Sequence, residues 1–79
     1  MTTYLALITV HADLPPDEVQ GMSEALGASD HRTGAGRVVL SVPGEAPDLA
    51  TATTAAHRHV AEVLDGYVVD VEVHEAEEG

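Results

Sequence analysis

Seventy-nine residues make one domain at most, and a domain of that size hides only about 60–65% of its unfolded surface. The chain has no cysteine, so neither a disulfide nor a thiolate zinc site is open to it, and with no Trp or Phe its core must be built from Val, Leu, Ile and Ala. The formal net charge is −11, there is no lysine, and Arg32, Arg37 and Arg58 are the cations. That balance excludes direct binding to a nucleic-acid backbone, which needs clustered positive charge, and disfavours an anionic membrane surface.

The composition, rich in Ala, Val, Asp and Glu without Lys, is that of a GC-rich genome such as an actinobacterium or its phage, or of a salt-adapted archaeon. No run approaches the roughly 18–20 apolar residues of a membrane span, and no basic segment precedes the first apolar run. A cytoplasmic protein is the expectation.

Thr3 to Val10 (TYLALITV) is rich in β-formers and almost wholly apolar, as a central strand is. In the following HADLPPDEVQGMSEALGASD, Pro15 and Pro16 ahead of Asp17 and Glu18 mark a helix start. Val19, Met22 and Leu26 recur at helical spacing, and Gly27 is placed to cap the end. SDHRTGAGRVVLSV then reads as a hairpin. A short polar arm, Asp30 to Thr33, suits a sheet edge, Gly34-Ala35-Gly36 turns, and Arg37 to Val42 returns, with PGEAP as the loop that ends it. A second helix covers about Asp48 to Leu64. Asp65-Gly66 breaks the chain, and Tyr67 to His74 alternates as a last strand.

The order β-α-β-β-α-β predicts a ferredoxin-like α+β fold: a four-stranded antiparallel sheet in the order 4-1-3-2 with two helices on one face. Residues 1–74 make the domain, and 75–79 an acidic flexible tail. The element order and the HADLPPDEV strand-to-helix turn resemble small regulatory domains of the ACT type. Pro15-Pro16 stand where those domains carry Pro-Gly. The resemblance implies a small-ligand sensor with His11, Asp13 and Leu14 at the site.

Alternation sorts the faces of the sheet. Val69, Val71 and Val73 face the helices, with Tyr67, while Asp70, Glu72 and His74 look away, with Val68. Val38, Leu40 and Val42 point in. The first strand is apolar on both faces. With Ala6, Ile8 and Val10 inside, Leu5, Leu7 and Val39 form a patch on the open face. The expected interface is Leu5, Leu7, Thr9, Val39, Ser41 and Val68, occupied by a second copy in a homodimer or by a protein partner such as a host protein engaged by a phage.

No constellation for catalysis emerges, and the expectation is a protein that is not an enzyme and takes no cofactor. Ser23, Ser29 and Ser41 lie in no nucleophile elbow. TGAGR joins two strands instead of opening a helix, so it is a turn and not a phosphate loop. On the second helix, with Leu49 at zero and about 100° per residue, Ala52, Thr53, Ala56, Val60, Val63 and Leu64 form one stripe. His57 and His59 flank it on opposite sides, a spacing that does not bind one metal. His74 with Glu72 offers a metal site only across a dimer seam. Five histidines also offer assembly a route to pH sensitivity. A small dimeric enzyme and an acidic mimic of nucleic acid are weaker readings: the core is too aliphatic for the first, and the carboxylates too scattered for the second.

Overall fold

A computed structural model describes residues 2–76. The opening strand, β1 (Thr2–Val10), is the spine of the fold. It pairs antiparallel with β3 (Arg37–Ala46) on one side, from Thr2 opposite Ala46 to Val10 opposite Val38. On the other side it pairs with β4 (Val69–Glu75), from Tyr4 opposite Glu75 to Val10 opposite Val69. The hairpin arm β2 (Asp30–Gly34) adds outside β3, giving the order β2-β3-β1-β4. With helices α1 (Pro16–Leu26) and α2 (Leu49–Val63), this is the ferredoxin-like arrangement predicted from the element order. Every residue of β2 is exposed, as its polar sequence requires of an edge.

Local signals set the helix ends. Pro16 opens α1, Asp17 and Glu18 lie in its positive first turn, and Gly27 closes it at φ 72°. The Ala28 N–H then reaches the Ser23 carbonyl at 2.8 Å, the bond of a Schellman cap. Asp48 starts α2, its Oδ1 accepting from the Thr51 N–H at 2.8 Å.

Burial on β1 alternates, with Tyr4, Ala6, Ile8 and Val10 turned in. Ile8 and Val10 meet Val38 and Leu40 of β3, Val19, Met22 and Leu26 of α1, and Val60 and Leu64 around the end of α2. Both helices therefore cover the same face, with Val69 and Val71 of β4 packed at the margin.

Three boundaries differ from the sequence reading. β3 runs through Pro43, Gly44 and Glu45 to Ala46, where a loop was expected. The Ser41 carbonyl accepts from Ser29, on the β2 side. Pro43, two residues on, directs its backbone the same way, past the end of β2, so its missing N–H costs no rung of the ladder. β4 starts at Val69 and not Tyr67, because the Tyr67 N–H is spent on the Leu64 carbonyl in the turn that follows α2. It ends at Glu75, and the Ala76 N–H donates to the Thr3 carbonyl. Glu75 is thus part of the sheet, while 77–79 of the expected tail lie outside the described residues.

The inward face of α2 is the expected stripe with one exception. Leu49, taken as the centre of its stripe, is 51% exposed. The rest of the stripe faces the sheet: Val60 and Leu64 are buried, and Ala52, Thr53, Ala56 and Val63 are half-buried. His59, on one flank of the stripe, brings its ring to the carbonyl end of α1, with Nε2 3.3 Å from the Leu26 oxygen, while His57 on the other flank is exposed.

Candidate functional site

The helices cover one face of the sheet and leave the other open. The registers arrange the open face in rows across the four strands. Arg32, Val39, Thr9 and Asp70 form one row; Asp30, Ser41, Leu7 and Glu72 form the next; Pro43, Leu5 and His74 form the third. Leu5, Leu7, Thr9, Val39 and Ser41, five of the six residues expected at an interface, share this surface. The sixth, Val68, stands just before β4, where its carbonyl accepts from the His11 N–H at 2.9 Å and its side chain is 70% exposed.

The apolar strip is narrower than the two leucines suggest. Leu5, Leu7 and Val39 are each half-buried, because neighbouring side chains of the same face already cover part of them. A groove of about 540 Å³ runs beside the strip, lined by Leu7, Asp30, Arg32, Arg37, Val39 and Ser41.

Charge on this face is sided. Arg32 and Arg37, two of the chain's three arginines, lie toward the β2 edge, while Asp70 and Glu72 lie on β4. Each of these acids holds a histidine: His11 Nε2 is 2.6 Å from Asp70 Oδ2, and His74 Nε2 is 3.2 Å from Glu72 Oε1. The His11 pair joins the ends of two different strands, so only the register reveals it. The His74 pair follows from a two-residue spacing on one strand. The two sit at opposite ends of the sheet. Among the described residues no three His, Asp or Glu side chains gather as a metal site would need.

The turn that resembles an ACT-type site directs its three residues to three different partners. His11 is held by Asp70. Asp13 Oδ1 accepts from the Gly36 N–H at 2.9 Å and ties the turn to the β2–β3 hairpin. Leu14 packs against the core. In TGAGR, Gly34 faces Arg37 across the hairpin and Gly36 takes φ 70°, a turn built for reversal. No described helix is long and apolar enough to cross a membrane.

Comparison with protein families, with curated proteins and with solved structures returns no significant match, so the functional reading rests on the chain's own geometry.

Proposed function

We propose that the chain is a non-enzymatic assembly module that pairs with a second copy of itself through the open face of its sheet. The sidedness of charge around a central apolar strip carries this reading. Two sheets stacked face to face about a two-fold axis parallel to the strands exchange their edges. The β2 edge of one copy then lies over the β4 edge of the other, and within one row Arg32 faces Asp70. In the next row Asp30 meets Glu72, an unfavourable pair that His74 beside Glu72 offsets when it carries a proton. Leu5, Leu7 and Val39 of both copies lie between the edges.

Each of these aliphatic side chains is half-buried already, so each contributes less than the ~1.5–3 kcal/mol of burial from full exposure. Two chains at −11 also repel. The association is therefore reversible, and the charged edges select its orientation. The ACT-like reading is the weaker one, because His11, Asp13 and Leu14 are drawn to three different partners.

Sedimentation across a dilution series tests the proposal. A monomer–dimer equilibrium is expected. Arg32→Glu shifts it toward monomer, and adding Asp70→Arg to that variant restores it. A monomer at every concentration into the millimolar range overturns the reading. A dimer indifferent to both substitutions overturns the orientation, and capture of a different protein by this face in place of a second copy overturns the choice of partner.

A further inference from the structure

The pairing of two copies leaves one place without a counter-charge. In the row where Asp30 of one copy meets Glu72 of the other, two carboxylates face each other across the seam. Arg32, one row away, is set over Asp70, and Arg37 lies farther along the hairpin. The chain has no lysine to bring there. Sheets packed face to face stand about 10 Å apart, so an aspartate from one side and a glutamate from the other bring their oxygens close enough to share an ion. A neutral imidazole does not balance two acids, whereas a metal cation does.

The side chains at this place are donors suited to such an ion. His74 and Glu72 lie two apart on one face of β4, and His74 Nε2 is 3.2 Å from Glu72 Oε1. Two ligand atoms of tetrahedral zinc, each about 2.0–2.1 Å from the metal, lie about 3.3 Å from each other, so this pair already spans one edge of a zinc site. The His11–Asp70 pair, at 2.6 Å, is too close for that and is a hydrogen bond. His74 and Glu72 are both more than half exposed and open toward the second copy. Asp30 Oδ1 accepts from the His31 N–H at 2.8 Å, which orients the carboxylate and leaves Oδ2 outside that bond. Because β2 starts at Asp30, no further rung of it stands over His74.

We infer that the dimer seam binds zinc, each ion held by Glu72 and His74 of one copy and Asp30 of the other. This rests on the face-to-face pairing proposed above. One imidazole nitrogen and two carboxylate oxygens are a set that zinc accepts, with the fourth position left to water. Glu72 and His74 alone supply two ligands, and the third arrives only with the second copy, so zinc and assembly favour each other. The two-fold axis makes two such sites per dimer. A chain at −11 draws cations toward both.

Sedimentation in EDTA, in zinc chloride and in magnesium chloride tests the site. Zinc is expected to tighten the dimer at least about tenfold over EDTA, with one ion bound per chain by titration calorimetry. Magnesium, which keeps to oxygen ligands and its own water, acts far less. His74→Ala removes the zinc response. Asp30→Asn gives the sharper sign: without metal it pairs more tightly than wild type, because the like-charged row is relieved, and zinc then adds little. His57→Ala, on α2 and away from the seam, keeps the full response. A dimer in EDTA that zinc leaves unchanged overturns the ion site alone, whereas no association with or without zinc overturns the pairing and the site with it. Zinc-driven association that survives His74→Ala and Asp30→Asn, or that magnesium matches, overturns the site.

Discussion

The two ends of the covered sheet face share the same strands and the same alternation, yet they are packed differently. At the upper end Val10, Val38 and Leu40 are wholly removed from solvent, and Ile8 nearly so, because α1 brings Val19, Met22 and Leu26 while α2 adds Val60 and Leu64. At the lower end Val42 and Val73 occupy equivalent inward positions and remain half-buried beneath alanines. Alternation decides which side of a strand turns inward. The size of the side chains on the covering helix decides how completely that side is buried.

Matched truncations test this contrast most severely. Val10→Ala removes aliphatic carbons from a site with no solvent contact and leaves a void, so a loss of about 2–3 kcal/mol is expected. Val73→Ala removes the same groups from a half-buried position beside an open groove under α2, and about 1 kcal/mol or less is expected. Denaturant unfolding of both variants measures the difference. Equal losses would mean that the two ends are packed alike.

The upper end offers a smaller test through its helix backbone. Gly21 lies in the middle of α1 with its Cα exposed, and a Cβ built there meets nothing within 4 Å. Gly21→Ala is expected to stabilise by about 0.5–1 kcal/mol, chiefly by restricting the unfolded chain. If packing by Val19, Met22 and Leu26 holds α1 in place, this gain appears without any change at the lower end. Unchanged or reduced unfolding free energy would show that the helix is distorted at Gly21.

The parts of the fold legible in the sequence were those fixed by local chemistry. Pro16 and Gly27 bracket α1, Asp48 opens α2, and the polar stretch from Asp30 lies at the edge. Alternation placed Ala6, Ile8 and Val10 inside, with Leu5, Leu7 and Val39 on the open side. What escaped depended on distant partners. Pro43 and Gly44 read as loop by residue type and became strand because Leu5 and Tyr4 lie opposite them. The contact of His11 with Asp70 required a register spanning most of the chain. The wheel of α2 named the residues turned inward, but the exposure of Leu49 at its first turn and the approach of His59 to Leu26 depend on where α1 and the sheet lie, which a wheel of one helix does not contain.

The lower end also has a weak anchor at the start of α2, and it is pH-dependent. With Leu49 in solvent, the first turn gains little from burial, and Asp48 holds it by accepting from the Thr51 N–H. Backbone and side-chain hydrogen bonding with Thr51 lowers the Asp48 carboxyl below its ordinary value of 3.8, a preference for the charged form that exists only in the folded chain. Its contribution is fully present above the unfolded value and is lost as pH falls through the lowered folded one. Asp48→Asn keeps an oxygen acceptor and removes the titration. Melting temperatures of wild type and Asp48→Asn should therefore run parallel from neutral pH down to about 4 and draw together below it, while Asp48→Ala melts lower across that upper range. Curves for wild type and the asparagine variant that stay parallel at pH values well below 4 would mean that the cap bond is not formed in solution, and that the first turn of α2 is held by something other than Asp48.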